Sequence, residues 1–192
     1  MADTATGLGA QILEAAKAQG ALLFGEFKLS SGETSGYYFD GRLLTLSPEG
    51  SNLVARALLP AVREAGAEAI GGPTLGADPM VTAIAMLSGQ DGGTPVPAFI
   101  VRKESKEHGT GRMIEGPLKP QSKVAIVDDA CSTAASLYHA IRAAEAEGHE
   151  VVLVACIIDR HQGGSERLRT EGYRFHAVLE GDAAGNVRPV GA

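Results

Sequence analysis

The chain has 192 residues, of which 44% are hydrophobic and 21% are charged, and this composition predicts one globular domain rather than a disordered chain. The formal net charge of −6 at pH 7 argues against a general electrostatic attraction to nucleic acid or to an anionic membrane. No stretch is apolar enough to span a membrane, no secretory signal is recognised, and Cys131 and Cys156 lack metal-ligand spacing, so we expect a cytoplasmic protein with two reduced thiols.

The first part of the chain predicts a helix followed by two extended segments. Apolar side chains recur at helical spacing over residues 7–19. Residues 22–39 are rich in aromatic and aliphatic side chains and are interrupted by serine and glycine, which indicates two short strands around a turn. Ser47 followed by Pro48 is typical of a helix start, and we expect Pro60 to kink or break the helix that follows.

From residue 69 onward, short apolar strands alternate with helical segments. Strands are predicted at 69–70, 98–101, 124–127 and 151–158, and helices at 79–88 and 137–148. A glycine-rich loop, 71–76, is expected after the first of these strands. Apolar strands joined by helices are typical of a buried parallel sheet, so we predict an α/β fold with a central, mostly parallel sheet flanked by helices.

Two adjacent carboxylates, Asp128 and Asp129, directly follow the predicted strand 124–127. Ligands of an open parallel sheet bind beyond the carboxyl ends of its strands, so this position predicts a site. The small and hydroxyl-bearing residues that follow, up to Ser136, would let an anion approach the N-terminus of the next helix. Because like charges repel, the aspartates would instead contact sugar hydroxyls, a metal ion or a cationic transition state. The alternative is a solvated aspartate that caps the next helix.

A run of charged residues after the strand 98–101 predicts a mobile loop. Residues 102–112 contain four cationic side chains, one histidine and two glycines, without hydrophobic periodicity. Such a loop is suited to close over a polyanion, although a solvated surface loop has the same composition. The loop 71–78 is a weaker candidate for a second anion site. Together the three loops predict a ligand with phosphate at both ends and a sugar between them.

Residues 124–136 resemble the signature of the type I phosphoribosyltransferases, which bind 5-phosphoribosyl 1-diphosphate. Other segments are similar to the orotate-specific branch of that family, and the likeness spans roughly residues 22–165. These segments are the aromatic stretch 24–40, the Gly72-Pro73 turn, the cationic stretch 102–109 and the strand end 158–160. The resemblance implies a single domain, with a helix and a small hood over about residues 1–45, an α/β core over about 46–180 and a tail over 181–192.

The resemblance also implies a reaction, transfer of the 5-phosphoribosyl group from 5-phosphoribosyl 1-diphosphate to N1 of orotate, which gives orotidine 5′-monophosphate. The transition state carries positive charge on the ribose and negative charge on the leaving diphosphate. The implied catalytic residues are Lys103, Lys106, His108, Asp128 and Asp129. Mg²⁺ is the implied cofactor, held mainly through the substrate rather than by direct protein ligands.

The implied binding residues follow from the same matches. Those for 5-phosphoribosyl 1-diphosphate are Thr74, Leu75, Arg102, Lys103, Lys106, His108, Asp128, Asp129, Ala130, Cys131, Ser132, Thr133, Ala134, Ala135 and Ser136. Those for orotate are Tyr37, Tyr38, Phe39, Ser132 and Arg160. A homodimer that shares the loop 102–112 across its interface is also implied.

Three details of this chain bear on those roles. Many members of the family have glycine in the region of Ala134 and Ala135, so a positive φ there would strain an alanine. Some members have lysine at the position of Ser30, so one diphosphate contact is expected to be missing. The diphosphate loop of the family often contains a cis peptide outside proline, which the resemblance puts at Thr74–Leu75.

Three other functions stay open from the sequence. A phosphoribosyltransferase for a purine or for uracil would share residues 128–136 but would not account for the segment 102–108 or for Arg160. A non-catalytic regulator that binds the same sugar phosphate would share the fold, but no helix-turn-helix segment is recognised. A flavodoxin-like or Rossmann binding domain would leave the cationic loop unexplained, and no G-x-G-x-x-G motif follows a strand here.

Overall fold

A seven-stranded sheet and a separate two-stranded hairpin make up the β-structure of the residues that the computed structural model describes, 5–28, 34–104 and 113–191. The helices are α1 (Ala5–Ala18), α2 (Gly41–Thr45), α3 (Pro48–Glu64), α4 (Asp78–Gln90), α5 (Ala135–Ala146) and α6 (Gly164–Thr170). The strands are β1 (Leu22–Lys28), β2 (Thr34–Phe39), β3 (Ala69–Pro73), β4 (Ala98–Val101), β5 (Ile114–Glu115), β6 (Lys123–Cys131), β7 (Glu150–Asp159), β8 (Phe175–Gly181) and β9 (Val187–Pro189). None of these described helices has both the length and the apolar character needed to cross a membrane.

The seven-stranded sheet confirms the predicted, mostly parallel arrangement. Its strand order is β5-β4-β3-β6-β7-β8-β9, in which β4, β3, β6, β7 and β8 run parallel and β5 and β9 pair antiparallel at the edges. Side chains of α1, α3 and α4 pack on one face, and those of α5 and α6 pack on the other. Residues of β6 alternate accordingly: Ala125 and Val127 belong to the first core cluster, Val124 and Ile126 to the second.

The direction in which strands are added reverses between β3 and β6. The chain passes from β3 to β4 on one side and then crosses back to β6 on the other. In an open α/β sheet, this reversal leaves a crevice at the carboxyl ends of the strands. The carboxyl end of β3 is Pro73 and that of β6 is Cys131. Two of the segments predicted to bind anions therefore meet at this crevice.

Two strands are longer than the sequence predicts. β3 continues through Gly71 and Gly72, which the sequence analysis assigned to a loop, and β6 continues from Val127 to Cys131. A Cβ atom at Gly72 would lie 2.0 Å from the Val127 carbonyl oxygen, so this glycine allows the close approach of β3 and β6 rather than a turn. The end of β6 stays in the sheet because it pairs with β7 as far as Asp159.

Of the two effects predicted for Pro60, a kink or a break, the break is wrong. Helix α3 is continuous from Pro48 to Glu64, and Pro60 is exposed. The hydrogen bond that proline cannot donate is lost on the solvent side of the helix. The opposite face is fixed by the buried side chains of Leu58, Leu59 and Val62. Tertiary packing therefore outweighs the local cost of proline.

Other elements match their predictions or add to them. β1 and β2 form the expected antiparallel hairpin, whose turn lies outside the described residues. Ser47 caps α3 by accepting a hydrogen bond from the Gly50 N–H at 2.9 Å. The sequence analysis did not predict α6, β8 or β9. β9, within the expected tail, pairs with β8 and reaches α1, where Pro189 Cβ lies 2.9 Å from the position of a Cβ at Gly9.

Replacing Gly72 by alanine is expected to destabilise the fold, because the new Cβ would overlap the Val127 carbonyl of the neighbouring strand. We expect the free energy of unfolding to fall by about 1–3 kcal/mol or more, the usual cost of overpacking. Gly89→Ala is the matched control, since its Cβ would meet nothing within 4 Å on α4 and would raise stability by up to about 1 kcal/mol. Urea denaturation measures both variants, and equal stabilities would contradict the close contact of the strands.

Candidate active site

A cleft of about 290 Å³ lies at the crevice between β3 and β6. The end of β2, the start of α2, the loop after β3, the segment after β4, the end of β6 and the start of α5 all contribute to it. Its lining residues are Tyr38, Phe39, Asp40, Arg42, Pro73, Thr74, Leu75, Gly76, Lys103, Asp128, Asp129 and Ser136. Most of these are residues that the family resemblance implies, so the fold brings together positions that are distant in the chain.

Asp128 and Asp129 form the acidic centre of this cleft. Asp128 is 7% exposed, and its Oδ1 accepts a hydrogen bond from the Asp129 N–H at 3.0 Å. Burial, reinforced by the charge of Asp129, raises the pKa of Asp128 well above its usual range, and burial also raises the pKa of Asp129. The pair therefore favours a cation, or a ligand that develops positive charge, beside it.

Glycine backbone approaches the acid pair from two sides. A Cβ atom at Gly76 would lie 2.7 Å from Asp128 Oδ1 and 3.1 Å from Asp129 Oδ1. A Cβ atom at Gly41 would lie 2.4 Å from the Cβ of Asp129. A larger residue at either position would displace the carboxylates, so glycine at these positions determines how close the neighbouring segments come to them.

An ion pair that was not predicted from the sequence, Asp40 with Arg42, forms one wall of the cleft. Arg42 donates from Nε to Asp40 Oδ1 at 2.9 Å and from Nη2 to Asp40 Oδ2 at 2.8 Å, and Asp40 also caps α2. This bidentate hydrogen bonding holds the pKa of the Asp40 carboxyl below its usual range. The available signal was the Asp-Gly pair directly after the strand, which is typical of a helix cap.

The loop after β3 has the backbone that the resemblance implies, because the Thr74–Leu75 peptide bond is cis. The Thr74 hydroxyl donates to Asp78 Oδ2 at 2.7 Å, which ties the loop to the first turn of α4. Thr74, Leu75 and Gly76 all line the cleft. The loop therefore places its backbone next to the acid pair.

The loop after β6 ends in a residue with left-handed backbone. Ala134 has φ 61° and ψ 19°, and it precedes α5 without a side-chain hydrogen bond to the helix. The anticipated positive φ at an alanine is therefore confirmed, at a cost of about 1 kcal/mol or more. A Cβ atom at Gly164 would lie 2.4 Å from the Ser132 carbonyl oxygen and 2.6 Å from Ala134 N, so α6 packs directly on this loop. The N–H groups that begin α5 are not capped by a side chain of Ala134 and can bind an anion.

Of the other residues assigned to this loop, some belong to the strand before it and some to the helix after it, and Ser132 and Thr133 lie between them. Ala130 and Cys131 belong to β6, which corrects their predicted place in the loop. Thr133, Ala135 and Ser136 are exposed, and Ser136 lines the cleft. Cys131 is fully buried, and burial raises the pKa of its thiol to about 12. Its thiol therefore stays protonated and contributes packing rather than ligand contacts.

The cationic loop is anchored where it leaves and rejoins the sheet. The Arg102 N–H donates to the Met113 carbonyl oxygen at 2.9 Å, next to the antiparallel pairing of β4 and β5. His139 of α5, which the sequence analysis did not consider, has its Nε2 2.8 Å from the Arg102 carbonyl oxygen. Lys103 lines the cleft, whereas Lys106 and the implied residue His108 lie outside the described residues.

Arg160 lies beside the cleft, at the turn after β7, rather than in its lining. Its N–H donates to the Cys131 carbonyl oxygen at 2.9 Å, and its guanidinium carbon lies 4.9 Å from the centre of the Tyr37 ring. Its Nε and Nη2 atoms are buried and have no hydrogen-bond partner among the described residues. Buried donors of this kind need an acceptor, and a carboxylate matches the guanidinium fork.

The three aromatic residues of β2 have different surroundings. Tyr37 and Phe39 are buried in the main core, at 1% and 7% exposure. Tyr38 is 41% exposed and lines the cleft, to which Phe39 also contributes. Tyr37 therefore serves as a packing surface for Arg160, and Tyr38 is the aromatic side chain most open to a ligand.

Comparisons with known proteins identify the family. The phosphoribosyl transferase domain family matches residues 69–174. The chain is 42% identical over 154 residues to the orotate phosphoribosyltransferase of Aquifex aeolicus, which covers 80% of this chain and 84% of that protein. The orotate phosphoribosyltransferase of Mycobacterium tuberculosis H37Rv superimposes with a TM-score of 0.78 at 36% identity in its Fe(III) dicitrate complex, over 90% of this chain and 96% of that chain. Its complex with 5-phospho-α-D-ribosyl 1-diphosphate superimposes with a TM-score of 0.72 at 32% identity, over 90% and 89% of the two chains.

Asp129→Asn is expected to stabilise the protein at alkaline pH. A carboxyl whose pKa is raised in the folded state contributes stability below its ordinary pKa and loses it as the pH rises, and removing Asp129 relieves this loss. We expect the melting temperature to exceed that of the wild type by roughly 3 °C or more at pH 8 and by less at pH 5. Thermal unfolding followed by circular dichroism measures the difference.

Asp91→Asn is the matched control with the opposite sign. Its hydrogen bonds to Arg63 lower the pKa of Asp91 to about 2, so its contribution is present at neutral pH and lost as the pH falls. This variant is expected to melt below the wild type at pH 8. If Asp129→Asn behaved in the same way as Asp91→Asn, the acid pair would not be under electrostatic strain.

Proposed function

The chain belongs to the orotate phosphoribosyltransferase family, and we propose that the cleft between β3 and β6 is where it transfers the 5-phosphoribosyl group of 5-phosphoribosyl 1-diphosphate to N1 of orotate. The reaction breaks the bond from ribose C1 to diphosphate and forms the bond from C1 to N1, giving orotidine 5′-monophosphate and diphosphate in pyrimidine biosynthesis. The buried pair Asp128–Asp129 is the observation that carries this assignment of the site. A ribose that becomes cationic in the transition state supplies the positive charge that the pair favours.

The start of α5 is proposed to bind the 5′-phosphate. The residues assigned to it, Ser132 to Ser136, lie directly beyond the acid pair and present the uncapped N–H groups of α5. Hydroxyl groups of Ser132, Thr133 and Ser136 add further donors. Phosphate at this helix end and ribose hydroxyls at the aspartates fit the order of groups along the substrate.

The diphosphate is assigned to the opposite side of the acid pair. Thr74 and Leu75 present the backbone of their loop there, and Lys103 adds a cation that lines the same cleft. The roles of Arg102, Lys106 and His108 in neutralising the leaving group follow from the family resemblance. Positive charge at this end stabilises negative charge as it develops on the diphosphate, which is when catalysis needs it.

Mg²⁺ is proposed as the cofactor. Among the described residues, no group of three or more histidine, cysteine, aspartate or glutamate side chains is arranged to hold a metal ion. The cleft nevertheless contains Asp128 and Asp129, whose raised pKa values favour a neighbouring cation, so the residues fit an ion carried in with the substrate. When bound, Mg²⁺ supplies positive charge to the diphosphate oxygens.

Arg160 is proposed to bind the orotate carboxylate. The guanidinium stacks on Tyr37, which limits its freedom, and its buried Nε and Nη2 are available as a pair of donors. This arrangement favours a planar base that bears a carboxylate over a purine or uracil, which offer none. Tyr38, exposed in the cleft, is assigned as an aromatic contact, and Phe39 and Ser132 complete the proposed surroundings of the base.

We also propose a homodimer, in which the loop 102–112 of one protomer completes the site of the other. Four large apolar side chains, Leu43, Leu46, Leu75 and Met86, are each more than half exposed on or next to one face beside the cleft. Leu75 belongs to both that face and the cleft lining. A second copy on this face would bury the apolar side chains and bring its cationic loop near the acid pair.

Both cysteines are free and buried, as expected for a protein kept in a reducing compartment. This state supports the proposal of a cytoplasmic location.

Arg160→Lys tests the assignment of the base site. Lysine keeps the charge but not the fork, so we expect the KM for orotate to rise about tenfold or more while the KM for 5-phosphoribosyl 1-diphosphate stays within about twofold. The measurement is formation of orotidine monophosphate with Mg²⁺, followed by chromatography. Arg174→Lys, whose side chain pairs with Glu64 away from the cleft, is the matched control and should leave both constants unchanged.

The same assay tests the function itself. Adenine, hypoxanthine and uracil in place of orotate are expected to give no nucleotide, because they lack the carboxylate. Turnover of one of these bases without turnover of orotate would overturn the proposed function. Turnover of orotate with an unchanged KM in Arg160→Lys would overturn the role of Arg160 alone.

Leu46→Glu and Met86→Glu test the homodimer. A charge on the apolar face opposes its burial, so each variant is expected to be monomeric and to lose most of its activity, because no partner loop would reach the site. Light scattering after size-exclusion chromatography gives the mass, and Val190→Glu, an exposed apolar residue outside this face, is the control. Full activity in a monomeric variant would show that the loop is not shared.

A further inference from the structure

We propose that His161 is a positioning residue for the base substrate, and that its imidazolium form holds the turn that carries Arg160. This inference rests on the proposed function, in which Arg160 binds the orotate carboxylate. His161 is not part of the cleft lining, so it acts through the position of its neighbour rather than by contact with substrate.

Carboxylates from three elements surround the His161 ring. Its Nε2 lies 3.1 Å from Glu180 Oε2 on β8, and its Nδ1 lies 3.3 Å from Glu166 Oε1 on α6. The same Nδ1 lies 3.7 Å from Asp159 Oδ2 at the end of β7. On β9, Arg188 donates to the other oxygen of Glu180 at 2.7 Å and is the cation that competes for it. The ring therefore ties the turn after β7 to α6 and β8.

The hydrogen-bond partners of the ring indicate which protonation state this arrangement suits. A neutral imidazole has one N–H and can donate to Glu180 or to Glu166, but not to both. The imidazolium donates to both carboxylates at once. Asp159 also favours a positive charge on the His161 ring, because Asp159 is 2% exposed and its Oδ2 has no hydrogen-bond partner among the described residues. Protonated His161 therefore donates to Glu180 and Glu166 and places its positive charge beside Asp159.

The backbone at His161 depends on these contacts. Its φ of 49° lies in the left-handed region, which few residues other than glycine adopt without support. The His161 N–H donates to Asp159 Oδ1 at 3.0 Å, and the ring contacts described above hold the other side of the turn. Arg160 directly precedes this residue, so a change in the turn moves the guanidinium relative to Tyr37. Loss of the ring contacts would therefore affect the binding of the base first.

The charge on His161 is expected to depend on pH within the working range of an enzyme. Burial lowers the pKa of His161, but the hydrogen bonds to Glu180 and Glu166 and the charge of Asp159 outweigh it, so the pKa lies above its usual value. The imidazolium persists to higher pH than in an ordinary histidine, and its contribution is lost as the pH rises through the raised pKa.

The test compares wild type with His161→Asn between about pH 6 and pH 9, where histidine titrates. Asparagine tolerates a left-handed backbone but carries no charge. In the wild type we expect the KM for orotate to rise about tenfold with pH, the size expected for one lost charge-assisted hydrogen bond. In His161→Asn the KM should be high throughout and lack this inflection, while the KM for 5-phosphoribosyl 1-diphosphate follows the same pH profile in both proteins. Identical orotate profiles in the two proteins would overturn the proposal.

Two neighbouring substitutions should move the inflection in opposite directions. Glu180→Gln removes a partner anion and should shift the inflection to lower pH. Arg188→Gln removes the competing cation and should shift it to higher pH. Titration of the His161 ring by NMR should give the same order of pKa values in the two variants. An inflection that stays in place in both variants would overturn the role of His161, even if His161→Asn fails to fold.

Failure of this inference can be told apart from failure of the proposed function. If Arg160→Lys leaves the KM for orotate unchanged, Arg160 does not bind the base, and the proposed base site is wrong. If Arg160→Lys raises that KM but the pH profile of the wild type matches that of His161→Asn, the base site stands and the positioning role of His161 is wrong.

Discussion

Two neighbouring carboxylates held out of water are the constraint on which the rest of the site depends. Two unit charges about 4 Å apart repel by roughly 4 kcal/mol at an effective dielectric constant of 20. The fold holds Asp128 and Asp129 against this repulsion because both belong to β6, whose pairing with β7 continues beyond them to Cys131. An uncharged pair would give a more stable protein, so folding does not account for the acids, whereas the proposed role beside a cationic ribose does.

At Ala134, the free-energy cost of a left-handed backbone is opposed by gains of similar size. A left-handed conformation costs an alanine about 1 kcal/mol or more relative to glycine. Alanine recovers about 0.4–1 kcal/mol because the unfolded chain has fewer conformations to lose, and Ala134 is 4% exposed, so its methyl group also gains from burial. These terms nearly cancel. The loop before α5 can therefore keep its shape with alanine at position 134, provided that Gly164 leaves it room.

The sequence predicted elements and site residues correctly where the residue types and the local backbone conformation point to the same structure. The apolar run before Asp128 predicted the strand and the acid pair, and the family resemblance predicted the cis peptide at Thr74–Leu75. Prediction from the sequence failed where a residue is needed for a contact with a distant part of the chain. Gly72 signals a turn by composition, yet it permits close strand packing. Asp40 and Arg42 are two residues apart, and the cap signal at Asp40 predicts the start of α2 but not the ion pair, which becomes visible in the structure. The strands β8 and β9 lack the strong apolar pattern of the central strands, since β9 is the edge strand and β8 lies next to it.

If Arg160 binds the orotate carboxylate as proposed, the opposite charges favoured by Arg160 and by the acid pair also restrict the orientation of the substrates. Buried donors of Arg160 need an acceptor, whereas Asp128 and Asp129 favour positive charge. An orotate whose carboxylate pointed directly at the acid pair would bring like charges together. At a separation of about 4 Å and an effective dielectric constant of 20, that contact costs roughly 4 kcal/mol, a factor of about a thousand in binding. Under the proposed assignment, charge alone therefore disfavours a carboxylate directed at the acid pair. Because the carboxylate of orotate is bonded to C6, the ring atom next to N1, a carboxylate held by Arg160 would keep N1 close to that guanidinium, so the position of Arg160 would limit which ring atom can approach ribose C1.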